Sequence, residues 1–268
     1  MQRTRQPGGS LTARSIAVAL LALTLVAGCK SPAPTFEEAR PADELYEEGV
    51  KILEGRKILG IVYWVNHNKA IETFQSIIDN YPYSDYAVLA ELKIADAYFD
   101  DGKYEEALSY YRDFSDLHPQ HAEVPYTIWR SALCHERRKR PSNRDQTATR
   151  EAIVYLDRLL LKYPYSEYAS EGEELWRELR RSLAEQVVGI GNFYMKRGEF
   201  ESAAERYRML LNEYPGLGFD AATLYKLGVC YWEMNRKVEA ERIFQSIVQN
   251  FEGTEYAARA EKRIASQE

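Results

Sequence analysis

Residues 91–119, ELKIADAYFDDGKYEEALSYYRDFSDLHP, decide the fold. Within them Ala95 is followed three positions later by Tyr98 and twelve later by Ala107; Ala107 is followed four later by Tyr111 and twelve later by Pro119. Two antiparallel helices need small residues where their backbones come closest and an aromatic ring to fill the gap beside them. A proline then stops the second helix, because it lacks a donor and disfavours helix at the residue before it. Outward from this stretch the second-helix pattern recurs as Ala70, Phe74, Pro82; Ala152, Leu156, Pro164; and Ala203, Tyr207, Pro215. A last copy, Ala240, Phe244, Glu252, lacks only the proline, and Gly191 with Tyr194 and Gly228 with Tyr231 repeat the first-helix pair. From Ala42 onward apolar residues recur at spacings of three and four with almost no strand signal, so the body is expected to be all helical.

These spacings match the tetratricopeptide pattern. The fold class expected is therefore all-α, a tetratricopeptide-repeat α-solenoid of about five helix pairs, over residues 42–82, 83–119, 120–164, 165–215 and 216–268. Gly191 and Ala203 are expected to face each other across one such pair. The segments YPYSDYA (81–87), YPYSEYA (163–169) and FEGTEYA (251–257) mark one recurring junction. There Ser84-Asp85 and Ser166-Glu167 offer capping side chains and first-turn acids to the helix that follows. Three irregularities stand out. The run ERRKRPSNRDQTATR (136–150) reads as a basic surface loop inside the third pair. Residues 169–194 contain no proline and keep Leu175, Trp176, Leu179, Leu183, Val187, Ile190 and Tyr194 at helical spacing, which predicts one long helix leading into the fourth pair. The first pair is enlarged, with 21 residues from Gly49 to Ala70 against 12 for the equivalent step in the fourth and fifth.

The N-terminus reads as an address. Arg3, Arg5 and Arg14 precede a 12-residue apolar run, Ile16 to Ala27, interrupted only by Thr24. That is shorter than the ~20 residues a spanning helix needs and suits a secretory signal. Val26-Ala27-Gly28-Cys29 resembles the bacterial lipoprotein processing box, which implies a signal peptide over 1–28 and acylation of Cys29. Lys30 after the cysteine resembles lipoproteins sorted to an outer membrane. Residues 29–41 then read as a lipidated cysteine and flexible tether, since KSPAPTFEEARP has no apolar period.

Composition narrows the function. Asp and Glu outnumber Lys and Arg, 41 to 35, for a formal charge of −6, which becomes −9 once the three signal arginines are removed. Binding nucleic acid through bulk electrostatics is excluded on that balance. Three cysteines and four histidines are too few and too scattered for a disulfide framework or a multi-ligand zinc site. Cys134 and Cys230 read as buried free thiols, with a bridge open if an oxidising compartment lets them meet, and His67 (in a loop-like Asn-His-Asn), His118, His121 and His135 as surface histidines. No acid, base and nucleophile stand at motif spacing, so neither an enzyme nor a cofactor or metal is expected.

A lipoprotein box, a proline-containing tether, five repeats with Tyr-Pro junctions, a loop in the third and a long helix before the fourth resemble the BamD family of outer-membrane barrel-assembly lipoproteins. The residues carrying the resemblance are YPYSDYAVLAELKIADAYF (81–99), Asn143-Arg144-Asp145-Gln146, YPYSEYA (163–169) and FYMKRG (193–198). The resemblance implies a scaffold on the periplasmic face of the outer membrane, lipid-anchored. It would bind the barrel subunit BamA and accessory Bam lipoproteins and receive unfolded β-barrel proteins by their C-terminal signal. It also implies a substrate-peptide surface at Tyr81, which Tyr83, Tyr86 and Phe99 could complete, tyrosine offering a flat apolar face with a polar tip. A junction tyrosine recurs at Tyr163, where packing explains it, so a packing role for Tyr81 stays open. Arg206 stands at the spacing of a family arginine that contacts the barrel subunit; the alternative is a solvated helix arginine or one paired locally with Glu205 or Glu201. A second reading keeps the fold and makes the protein a tetratricopeptide lipoprotein scaffolding cell-wall or secretion proteins.

Overall fold

The structure, a computed structural model, describes residues 40–58 and 62–266. The expected signal peptide, Cys29 and the tether as far as residue 39 lie outside the described residues. The body begins at Ala42. Its first pair is α1 (Ala42–Glu54) and α2 (His67–Asn80), joined through the strands β1 (Arg56–Ile58) and β2 (Val62–Trp64). Then come α3 (Asp85–Asp100) with α4 (Tyr104–Leu117), α5 (Val124–Arg137) with α6 (Thr147–Lys162), and α7 (Ala169–Lys196) with α8 (Phe200–Glu213). The last pair is α9 (Asp220–Glu233) with α10 (Lys237–Asn250), and α11 (Glu255–Ala265) packs on it. Every helix packs on the one before and the one after, which is the nearest-neighbour arrangement of a repeat array. The fold is the all-α tetratricopeptide solenoid of five helix pairs.

The small-residue rule operates at specific contacts. A Cβ added to Gly49, Gly191 or Gly228 would lie 2.6 Å from the ring of Phe74, Tyr207 or Phe244 respectively. Each ring belongs to the second helix of the same pair and is fully buried. The partner of Gly191 is thus Tyr207, one turn beyond Ala203. The ring fills the space left by the missing methyl group, as close packing of the interior requires.

Junctions between pairs share one conformation. Tyr81, His118, Tyr163, Tyr214 and Phe251 each cap a second helix at φ between −133° and −122° and ψ between 39° and 55°. Each donates its N–H to the carbonyl four residues back. A proline follows in four of the five, and Glu252 follows Phe251 with the same cap. The aromatic or histidine ring and the helix end therefore hold this turn without help from proline. Ser84 Oγ accepts from the Tyr86 N–H at 3.1 Å, and Thr254 Oγ1 accepts from the Ala257 N–H at 3.2 Å, both as N-caps. Ser166 does not cap as expected. The long helix starts later, after Tyr168, whose ring lies 5.5 Å from that of Tyr126, and Ser166 Oγ is buried with no hydrogen-bond partner among the described residues.

Helix α7 spans 28 residues, or about 42 Å at 1.5 Å per residue. Its first half packs on α6, where Leu179 joins Leu156 and Leu159 and the Trp176 Nε1–H donates to Asp157 at 2.7 Å. Its second half packs on α8 through Gly191. Ile190, expected among its apolar stripe, faces outward.

Two further features depart from the sequence reading. The extra residues of the first pair form an antiparallel hairpin with Arg56 opposite Trp64 and Ile58 opposite Val62. Strands of three residues are too short to register as period-two alternation. His67 is the first residue of α2, behind the N-cap Asn66, whose Oδ1 accepts from the Lys69 N–H at 3.1 Å.

Candidate interaction surface

The Tyr-Pro junction of the first pair separates the residues expected there into different roles. Tyr81 is half-buried, packs against the core of the first pair and caps α2. Tyr83, two residues on, is fully exposed, as is Tyr165 in the equivalent place of the second YPYS segment. Tyr86 is 37% exposed and rests on Tyr46, ring centroids 5.5 Å apart. Phe99 is not brought to them. It lies thirteen residues further along α3 than Tyr86, about 20 Å along the helix axis, and the Arg130 guanidinium covers its ring at 3.8 Å.

Around Phe99 is a polar cluster that the sequence reading did not find. Asp96 Oδ1 on α3 accepts from the hydroxyls of Tyr111 (α4) and Tyr126 (α5), both at 2.6 Å. Arg130 on α5 donates Nε–H to the Tyr111 oxygen at 2.9 Å and lies 3.7 Å from both Asp96 and Asp100. Burial, and then the Asp96 charge, push both tyrosines well above their ordinary range, so both stay neutral and keep the proton they donate to Asp96, while the Tyr111 oxygen also accepts from Arg130.

The same arrangement recurs two pairs later. Tyr207 on α8 donates its hydroxyl to Asn192 Oδ1 on α7 at 2.8 Å, and Lys226 on α9 donates to the same oxygen at 2.9 Å. Asp96 and Asn192 each follow the small residue of their first helix (Ala95, Gly191), and Lys226 stands two before Gly228 as Arg130 stands two before Ala132. The remaining pairs carry Phe74, Leu156 and Phe244 where these two carry Tyr111 and Tyr207. Without a buried hydroxyl they need no such partner. A tyrosine in place of phenylalanine at Ala-x3-aromatic was the sequence signal that could have flagged both clusters.

Arg206 is half-buried on α8 and makes no ion pair among the described residues; Glu201 instead lies 4.0 Å from Arg208. Only residues 138–146 of the basic run form a surface loop, since Glu136 and Arg137 end α5 and residues 147–150 begin α6, and much of its charge is balanced. Arg138 pairs with Glu105, and Lys139 pairs with Glu136 at 3.2 Å and Glu178 at 2.7 Å. Buried Gln146 staples the loop by donating Nε2–H to the carbonyls of Arg140, Pro141 and Arg144. Between this loop and α7 lies a cleft of about 420 Å³ lined by Ser142, Asn143, Gln186, Gly189, Ile190 and Phe193.

Cys134 and Cys230 are buried free thiols, pushed by burial up to about 12 and about 11. The histidines are less exposed than the sequence reading expected. His135 is buried and stacked on Tyr155, and His118 lies 3.1 Å from Glu91 and against Phe114. Among the described residues no cluster of acids, histidines and cysteines could hold a metal ion, and no helix is long and apolar enough to cross a membrane.

Comparisons with known proteins bear on what this surface serves. The chain is similar to the outer membrane protein assembly factor BamD of Caulobacter vibrioides, 27% identical over 239 residues, covering 88% of this chain and 75% of that protein. It is similar to the BamD of Rickettsia prowazekii at 26% over 247 residues, covering 92% and 95%. Among solved structures it is similar to the TPR2AB-domain:pHSP90 complex of yeast Sti1, with a TM-score of 0.44 at 16% identity, covering 78% of this chain and 76% of that one. A family model described as outer membrane lipoprotein, YfiO, matches residues 38–242, from within the expected tether into α10. The chain therefore belongs to the YfiO family of outer membrane lipoproteins.

Proposed function

We propose that this protein is an outer-membrane protein assembly factor, a non-enzymatic scaffold held by acylated Cys29 on the periplasmic face of the outer membrane. In this reading residues 1–28 direct export and 29–41 tether the repeats to the lipid. The body binds a BamA-like barrel subunit and accessory lipoproteins, and it receives unfolded β-barrel proteins. The observation that carries the reading is the family match over residues 38–242, supported by relatives that bear the assembly-factor name along most of their length.

Arg206 supplies a half-buried guanidinium without a counter-ion among the described residues, suited to bidentate pairing with a partner carboxylate. Tyr83 supplies the free aromatic face of the substrate surface, Tyr86 a partly exposed ring resting on Tyr46, and Tyr81 packs against the core of the first pair. Phe99 contributes through packing under Arg130.

The test is an affinity pull-down of the tagged, lipidated protein from detergent-solubilised envelopes, read by mass spectrometry. Recovery of a large β-barrel subunit with periplasmic domains is expected, and Arg206→Glu should cut it about tenfold or more by charge reversal. Tyr83→Ala should weaken substrate-peptide crosslinking without moving the melting temperature, whereas Tyr81→Ala should lower both. Recovery of cell-wall or secretion enzymes alone would move the protein to the other scaffold reading.

A further inference from the structure

The hairpin of the first pair is an addition that repeat packing does not require. Gly49 meets the Phe74 ring just as Gly191 meets Tyr207 and Gly228 meets Phe244, in pairs whose helices are joined by a short turn. The base of the hairpin is nonetheless fixed. Gly55 turns the chain out of α1 at φ +69°, and a Cβ there would lie 2.9 Å from the Trp64 carbonyl oxygen. Arg56 stands opposite Trp64 in the antiparallel register, and its guanidinium lies 5.5 Å from the centre of the indole ring. That ring is still 44% exposed.

Between this base and the two helices opens a cleft of about 390 Å³, lined by Ile52 and Trp64, with Lys51, Arg56 and Lys69 around it and Glu48 as its one acid. Glu48 lies 3.9 Å from Lys69, while Lys51 and Arg56 make no ion pair among the described residues. In sequence, residues 55–71 hold no Asp or Glu at all, on a chain whose mature charge is −9. Exposed cations around an indole ring are the composition of a membrane interface, where tryptophan settles at headgroup level and long basic side chains reach the lipid phosphates. The attachment of the chain brings such a surface within range. Helix α1 begins thirteen residues after Cys29, which span about 45 Å at full extension. The cleft lies at the far end of that 13-residue helix, about 20 Å on.

We propose that this cleft receives the head of an anionic phospholipid, with Lys51, Arg56 and Lys69 donating to the phosphate oxygens and the Trp64 ring lying beside the glycerol. Such a lipid carries no cation of its own, so cations of the protein complete its charge, and a guanidinium matches two phosphate oxygens at once. Three cations near an anionic surface are worth less than acyl chains buried in it. The contact therefore orients the first pair on the bilayer and leaves anchoring to acylated Cys29. The orienting role rests on the anchored reading of the N-terminus; recognition of the lipid head does not.

The test mixes the full lipidated chain with vesicles whose acyl chains are brominated, made of phosphatidylcholine alone or with phosphatidylglycerol added. Bromine quenches only an indole that reaches the lipid. Emission should fall in the anionic vesicles by a share that Trp64→Phe removes, and no such share should be lost in phosphatidylcholine alone. Lys51→Gln together with Arg56→Gln, both at exposed positions, should return the anionic vesicles to the phosphatidylcholine level. Salt at about 1 M, where the screening length is ~3 Å, should do the same. Flotation with the phosphatidylcholine vesicles reads the acyl anchor separately. A chain that fails to float there has lost the anchored reading, while quenching in the anionic vesicles still reports on the cleft. Equal Trp64 quenching in both vesicles, none in either, or quenching that survives the double substitution overturns the proposal. So does Trp64 emission that responds to inorganic phosphate without vesicles and not to the anionic lipid, which would give the cleft to a soluble ligand.

Discussion

Individual residues in this array are chosen by what lies one helix away. Gly189 and Gly191 are two positions apart in α7 and have opposite reasons to be glycine. A methyl on Gly191 would press to 2.6 Å of the Tyr207 ring, which is fully buried and held by its hydroxyl on Asn192, so the ring has nowhere to move. Gly191→Ala should cost about 1–3 kcal/mol by overpacking. Gly189→Ala meets empty space and should stabilise by about 0.5–1 kcal/mol through restored helix propensity. Urea denaturation of the two variants checks this, and effects of the same sign would contradict it. The same logic explains the tyrosine hydroxyls: Tyr111 and Tyr207 appear only where an Asp or Asn of the preceding helix can accept them.

At the scale of elements, α7 is the part whose integrity matters most. Its first half belongs to the core of the third pair and its second half to that of the fourth, so it couples cores that share no other helix. A proline at exposed Glu185 would remove an interior hydrogen bond and clash with the preceding turn, at about 3 kcal/mol. In a nearest-neighbour array this should uncouple the two sides. Glu185→Pro is therefore expected to unfold in two steps, with Trp232 fluorescence reporting the last pair separately from Trp129 and Trp176. A single coincident transition would show that coupling does not run through α7. The hairpin Arg56–Trp64 is a different kind of element. It spans nine residues, the whole excess of the first pair over the 12-residue step of the second, fourth and fifth, so it is an insertion beside the same glycine-to-ring pairing, Gly49 with Phe74.

For the whole molecule, the proposed lipid attachment and the repeat body are expected to be separable. Two or more acyl chains give stable membrane anchoring where one gives marginal binding, and no helix among the described residues offers an alternative span. Cys29→Ala should therefore leave the repeats folded and move the protein from the membrane pellet to the soluble fraction; retention in the pellet would point to anchoring by protein partners. The repeat body and its departures from regularity were legible in the chain itself. Fixed spacings of small residue, aromatic and proline located the helix pairs, and an unbroken apolar period of 26 residues located α7. Those are one-dimensional signals, because a helix imposes its period on the residues that form it. Tertiary structure alone decided which of those residues meet. It buried half of Tyr81 and freed Tyr83, set the Arg130 guanidinium over the Phe99 ring, and closed the cluster of Asp96, Tyr126 and Arg130. It also set Lys226 on Asn192, 34 residues earlier, without an acid between them. Contacts between successive pairs depend on how helices stack, and no local period encodes that.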